Sequence, residues 1–405
     1  MRILMLAQFY PPIIGGEERH VHNLSLELVS RGHEVAIATI QHWQEPLFTV
    51  EQGVRIYRVP STVKRLQRLL NAQERYHAPP FPDPEILQAL RHIIQEECPE
   101  IVHAHNWLLH SFTPLKAWSK AKFVVTLHDY SQICVIKRLM RQGQVCSNRT
   151  LYHCLQCAHQ HYGVKGTIIT LAHRRSCKLE HKTVDMFLPV SRAVAEGTQL
   201  AEQKLHYRVI PNFVPDVLMS TCSVAHPFLA QLPQERFLLF VGDIVMDKGI
   251  EVLLDAYARL EDEIPLVLIG RTKPNRSLSL SSNTYLFESW PYEAVLGAWQ
   301  RCTLALIPSI WPDPCPTVAL EAMSMGKPII GSRIGGLTDI VVDNETGLLV
   351  TPGDSHELQT AIHCLLKDPQ RCERMGTRAR QWVTAWQAKA VVTQIEQIYL
   401  EVLGV

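Results

Sequence analysis

The 405-residue sequence has no apolar run approaching the ~18 residues that a membrane-crossing helix needs, so none is expected. It also lacks an excess of charge. Forty basic and 39 acidic residues leave a formal net charge of +1, which excludes a generally basic nucleic-acid binder and leaves only a local basic face open. Neither G-x-G-x-x-G nor G-x-x-x-x-G-K-[ST] occurs, which removes support for a nicotinamide-binding fingerprint and for a P-loop. The opening MRILMLAQFYPP meets two prolines after a short apolar run and lacks the long apolar region and small-residue cleavage site of an export signal. A cytoplasmic location is therefore expected, and eleven cysteines in a chain of this length do not read as a disulfide scaffold. What is present is ordinary for a globular protein: 46% hydrophobic and 20% charged residues. At ~150 residues per domain, the length suggests two or three domains with sizeable cores.

Short apolar runs alternate with longer amphipathic stretches. Arg2–Ala7, Val35–Ile40, Val54–Val59, Ile101–Ala104, Phe123–Leu127 and Met186–Val190 read as strands, and Gly16–Arg31 and Glu85–Glu97 as helices. The pattern restarts beyond residue 205. Strands are expected at Phe237–Val241, Leu266–Ile269, Tyr285–Phe287, Thr303–Ile307 and Ile329–Ser332, with helices at Gly249–Leu260, Pro291–Arg301, Thr317–Met325 and Ser355–Leu366. Such alternation calls for α/β architecture, with two parallel sheets covered on both faces and ligands held at the carboxyl ends of the strands. The expected division is a first domain over 1–210, with a cysteine-bearing insertion at about 130–180, a second over 211–383, and a C-terminal helix over 384–405 that is a candidate to pack back on the first.

Four segments carry chemistry. The loop YPPIIGGEERH (Tyr10–His20) joins a strand to a helix, where Gly15 and Gly16 permit close backbone approach and a helix start favours an anion. In VVTLHDY (Val124–Tyr130), His128 and Asp129 emerge at a strand's carboxyl end; they suit either a ligand or a simple strand cap. In LLFVGDIVMDKGIEVLLDAY, Lys248 precedes Gly249 and a helix, so it can meet a phosphate or face solvent. The most informative segment is PSIWPDPCPTVALEAMSMGKPIIGS (Pro308–Ser332). Its proline-rich loop leads into a helix starting near Pro316 or Thr317, with Asp313 before it and Glu321 about one turn inside. The amides at that start, near Cys315, Pro316 and Thr317, can cradle a diphosphate.

In this order, together with RGHEV (Arg31–Val35), VIPNFV (Val209–Val214) and TGLLVTPGD (Thr346–Asp354), these motifs resemble retaining glycosyltransferases of family 4, whose GT-B fold has two facing Rossmann-like domains and an interdomain cleft. The resemblance covers nearly the whole chain. It implies transfer of a sugar from a nucleotide-diphosphate sugar to a glycan, a lipid-linked glycan or a small-molecule acceptor. Glu321 matches the residue that binds the nucleotide ribose, and Asp313 the first carboxylate of the pair, where the family usually has glutamate. Lys248 matches the lysine that neutralises the donor diphosphate. His128 matches the histidine beside the reacting sugar, and Gly15 and Gly16 match the loop near the diphosphate. Asp243 stands where an arginine is common, which leaves Arg271 as a substitute on position alone. No D-x-D occurs, so no catalytic metal or other cofactor is expected. A catalytically silent nucleotide-sugar-binding protein and a nucleotide-sugar epimerase are the competing readings.

Two features stand apart. Cys134, Cys146, Cys154 and Cys157 form C-x11-C-x7-C-x2-C, which is open to a structural zinc, to ordinary thiols or to disulfides. Lys64, Arg65, Arg68 and Arg75 surround Leu66, Leu69 and Leu70. This is either a solvated helix or a basic amphipathic contact with the inner face of a membrane.

Overall fold

In a computed structural model, residues 1–13, 15–42, 45–62, 64–65, 77–219, 226–272 and 279–405 are described. The chain forms two compact units. One comprises Met1–Arg141, Cys146–Pro211 and Val391–Val405, and the other Gln142–Val145 and Asn212–Ala390.

Unit 1 is built on β1 (Arg2–Leu6), α1 (Gly16–Ser30), β2 (Glu34–Ile40), β3 (Phe48–Glu51), β4 (Val54–Val59), α2 (Pro84–Glu97), β5 (Ile101–Ala104), the short α3 (Leu109–Phe112) and β6 (Lys122–Leu127). Beyond β7 (Met140–Arg141), and after the β8 strand (Gln144–Val145) that belongs to unit 2, come α4 (Leu151–Tyr162), α5 (Lys165–Thr183), β9 (Met186–Pro189) and α6 (Arg192–Gly197). The large sheet has the order β3-β4-β2-β1-β5-β6-β9 and is parallel except for the β3–β4 pair. Its central strands are nearly continuous apolar runs because helices cover both faces; Leu4, Met5, Ile37, Val102 and Val125 are fully buried. Local rules place the helices. Asp83, ahead of Pro84, accepts hydrogen bonds from the Glu85 and Ile86 amides and so starts α2.

Unit 2 contains β10 (Leu238–Val241), α7 (Ile250–Ala258), β11 (Leu266–Ile269), β12 (Thr284–Phe287), α8 (Tyr292–Arg301), β13 (Leu304–Ile307), α9 (Thr317–Ser324), β14 (Ile329–Ser332), α10 (Leu337–Ile340), β15 (Gly347–Val350), α11 (Ser355–Lys367) and α12 (Pro369–Trp382). Its sheet is entirely parallel, with the order β12-β11-β10-β13-β14-β15. In both sheets the winding reverses beside the first strand, between β1 and β5 and between β10 and β13. That reversal opens a crevice at the carboxyl ends.

The structure adds elements that the apolar pattern does not announce. β3 pairs antiparallel at an edge, and its residues are largely exposed, so no apolar run marks it. The cysteine segment contains α4 and α5; α4 has only Ala158 buried, and so almost no apolar stripe. The expected helix over 384–405 is corrected. Val383–Trp386 is a 3-10 turn, and the final helix, α13, spans Ala388–Leu403. The break has a local cause. Val214 donates to the Trp386 carbonyl and accepts from the Ala388 amide, and this bridge holds Gln387 extended. Among the described residues no helix is long and apolar enough to cross a membrane. Within the basic stretch, Lys64 is buried and reaches the Gln41 carbonyl, while Arg65 pairs with Glu85. Arg68, Arg75, Leu66, Leu69 and Leu70 lie outside the described residues.

Candidate functional site

Each unit gathers site residues where its winding reverses. In unit 2 the loop after β10 and the loop after β13 are tied together through the backbone. The Ile310 and Trp311 amides both donate to the Asp247 carbonyl, at 2.9 and 3.3 Å. Gly249 sits at φ 75°, and a β-carbon there would collide with the Pro308 carbonyl. Only glycine allows this left-handed turn at so close an approach. Lys248, one residue earlier, is thereby held over the second loop. Its ammonium forms an ion pair with Asp313 and lies 5.4 Å from the centre of the Trp311 ring. The Asp313 side chain is 11% exposed and that of Lys248 29%, so the pair is partly withdrawn from water. Asp313 is held from the other side as well, since its carbonyl accepts from the Gly336 amide at 2.7 Å. Gly335, at φ 62°, packs against the Asp313 backbone, where a side chain has no room.

Helix α9 begins just beyond. Pro316 is its N-cap and supplies no side-chain cap, so the first-turn amides of Thr317 and Val318 start the helix without one. Cys315 is buried, its thiol is pushed up to about 12 by burial, and its carbonyl faces the Asn212 amide group at 3.5 Å. Glu321 is buried on the second turn of α9, 3% exposed. Lys248, Asp313, Cys315, Pro316 and Thr317 thus lie on two neighbouring loops at one sheet edge, with Glu321 on the helix that leaves it. A depression of about 850 Å³, lined by Cys302, Thr303, Lys327 and Pro328 among others, lies at the opposite edge, where β13 and β14 begin. Open α/β sheets bind at their carboxyl ends, so that depression is not the candidate site.

Arg271 does not join this group. Its guanidinium pairs with Asp243, Nε to Oδ1 at 2.9 Å, with both side chains about half exposed. The aspartate that stands in the usual arginine's place therefore holds the one cation offered as a replacement.

In unit 1 the loops after β1 and β5 are likewise joined. The Asn106 side-chain oxygen accepts from the Gln8 amide at 3.0 Å, and its nitrogen donates to Glu17 at the start of α1. Gly15 caps α1 in extended backbone with Glu18 packed against it, and Gly16 borders open space. Burial and the neighbouring Glu18 push the Glu17 carboxyl up to about 8, so it is largely protonated at neutral pH.

His128, at the end of β6, belongs to a cluster that the motifs did not reveal. His105 Nδ1 lies 3.0 Å from His128 Nε2, and one ring nitrogen of each of His20, His105 and His128 falls within 4.8 Å of the others. The His103 ring lies tilted against that of His105, with ring centres 4.2 Å apart, and His103 bonds to Tyr399 and Thr126 at 2.6 and 2.7 Å. Burial pulls His20 down to about 4 and His103 to about 3, and pulls His105 well down too, so these rings are neutral at physiological pH. A signal was available. His103 and His105 are two residues apart, which places them on one face at a strand's carboxyl end.

The sequence profile described as Glycosyltransferase Family 4 matches residues 14–217, and the profile Glycosyl transferases group 1 matches residues 226–382. A glycogen synthase of Mycobacterium tuberculosis is 27% identical over 99% of this chain and 94% of its own length. Among solved structures, a sucrose-phosphate synthase from Thermosynechococcus elongatus superposes with a TM-score of 0.75 at 22% identity, covering 99% of both chains. Anabaena HepE, solved in complex with UDP-glucose, gives 0.70 at 18% identity, again over 99% of both chains. With a family profile matching half of its length and two doubly wound units of the GT-B kind, the chain belongs to glycosyltransferase family 4.

Proposed function

We propose that the chain is a retaining transferase that moves a sugar from a nucleotide-diphosphate sugar to a glycan, lipid-linked glycan or small-molecule acceptor. The observation that carries this reading is the Lys248 ammonium, held by Asp313 and Gly249 beside the uncapped start of α9. Glycosyl transfer builds positive charge on the sugar while negative charge grows on the departing diphosphate. A fixed ammonium and aligned amides stabilise that change without reorganisation during the reaction. Glu321 then binds the ribose, Asp313 lies near the donor sugar's hydroxyls, and Gly15, Gly16 and His128 serve the reacting end. The leaving phosphate assists deprotonation of the acceptor on the same face, and no metal or other cofactor is needed. Nucleotide recognition is supported by relatives of the same fold: HepE was solved with UDP and with UDP-glucose, and the Arabidopsis thaliana starch synthase IV catalytic domain with ADP and acarbose. A cytoplasmic enzyme that takes a lipid-linked acceptor would work at the membrane's inner face.

A thermal-shift screen against nucleotide sugars tests the donor, since a ligand at 100 times its Kd stabilises the native state by about 2.7 kcal/mol. Product analysis with the donor so found tests the rest. Retained anomeric configuration in a new glycosidic bond is expected. An inverted product overturns retention, free epimerised sugar favours an epimerase, and binding without turnover across an acceptor panel favours the silent reading.

A further inference from the structure

The cysteine insertion of unit 1 is not absorbed by the transfer reaction. Cys134, Cys146, Cys154 and Cys157 line one cavity of about 360 Å³. They reach it from three places: Cys134 from the turn after β6, Cys146 from the residue following β8, and Cys154 and Cys157 from one face of α4, three residues apart. None is in a disulfide.

The surroundings of the thiols prepare the place for negative charge. The cavity lining also includes Arg141, Arg149, Arg174 and Lys178, yet no aspartate or glutamate. The Arg149 Nε and Nη1 atoms are buried with no hydrogen-bond partner. A ring of cations around uncharged thiols is left uncompensated; around thiolates it is not.

We propose that Cys134, Cys146, Cys154 and Cys157 hold one structural zinc ion as a tetrathiolate. Each thiol gives up its proton on binding, so four thiols and one divalent ion yield a doubly negative centre and four released protons. Arg141, Arg149 and Arg174 balance that charge. The ion draws the sulfurs inward to Zn–S bonds of ~2.3 Å; among the described residues, only the ligand atoms of His20, His105 and His128 already lie within 4.8 Å of one another. The clamp ties the turn five residues beyond Asp129 to α4, and so fixes the chain that leaves His128.

The test is elemental analysis of the full chain, purified without chelators or a metal-affinity tag. About one zinc per chain is expected, with none in Cys154→Ser/Cys157→Ser and full content in Cys364→Ser, whose thiol is exposed on α11. Should the double variant fail to fold, cobalt exchange into the unaltered protein still decides, because a tetrahedral cobalt thiolate has intense absorption that an oxygen- or nitrogen-bound ion lacks. Protein with neither zinc nor a cobalt–thiolate band under reducing conditions overturns the proposal. Stoichiometric inorganic phosphate binding that Arg149→Ala abolishes, in metal-free protein, overturns it in favour of an anion pocket.

Discussion

Replacing Lys248 with alanine should produce two losses of different size and origin. The first is in stability. The Lys248 and Asp313 side chains are 29% and 11% exposed, so their pair lies between a surface ion pair, worth ~0–1 kcal/mol, and a buried one, where removing one partner costs ~3–5 kcal/mol. A loss of about 1–3 kcal/mol in denaturant unfolding follows, mainly because Asp313 is left without its cation. The second is in turnover. Loss of one preorganised electrostatic stabiliser lowers kcat by ~10²–10³-fold, or ~2.7–4 kcal/mol at the transition state. The Arg271–Asp243 pair cannot make this up, because its guanidinium is already occupied and half exposed. Lys248→Arg should restore folding better than turnover, since a planar fork does not fill the place of a compact ammonium. Steady-state kinetics with the identified donor and acceptor, beside urea unfolding of each variant, separate the two effects. A folded Lys248→Ala protein with near-wild-type turnover would refute the assignment of the leaving group to this lysine and return it to the amides of α9 alone.

Glu321→Ala should weaken donor binding by ~1.5–3 kcal/mol, the worth of hydrogen bonds to a charged group, and unchanged affinity by calorimetry would sink its ribose role. Gly249→Ala should destabilise the chain by ~1–3 kcal/mol, because a side chain at φ 75° meets the Pro308 carbonyl; an unfolding midpoint equal to wild type contradicts that packing. Glu17→Gln should stabilise the protein increasingly as pH rises from 4.5 to about 8. The native carboxyl resists ionisation while the unfolded one ionises near 4.5, so the wild type loses stability over that window and the amide does not. His20 and His103 act in the opposite direction: their buried rings refuse protons that the unfolded chain takes up below 6.5. Stability should therefore fall between pH 6.5 and about 4, and replacing His20 with glutamine should flatten that limb of the unfolding-versus-pH curve.

Much of the fold could be read because its strands are buried on both faces and so appear as unbroken apolar runs. Leu266–Ile269 and Ile329–Ser332 are found where the sequence puts them. β3 and α4 escaped because their surroundings are largely solvent and impose no apolar period. The site divides along a similar line. Lys248, Asp313 and Glu321 announce themselves through loop prolines, glycines and a helix start. The link between Lys248 and Asp313 bridges two crossovers far apart in sequence, and the capture of Arg271 by Asp243 depends on how β10 and β11 pair. His20 and His105 look like ordinary polar residues until β1, β5 and β6 are placed side by side.

The helix α13 also sets an order of assembly. Residues 391–405 belong to unit 1, where Glu396 receives Arg31 and His33, Tyr399 meets His103, and Glu401 pairs with Arg208. Those residues are synthesised only after the whole of 212–390. During translation, the unit that begins first is therefore finished last, and its buried His103 waits for Tyr399 while an entire second unit emerges. A ribosome-bound chain halted after residue 390 should hold a complete second sheet beside a first unit that still exposes the apolar surface destined for Val391, Ile395 and Ile398. That species, rather than any isolated half, is where chaperone capture and aggregation would concentrate.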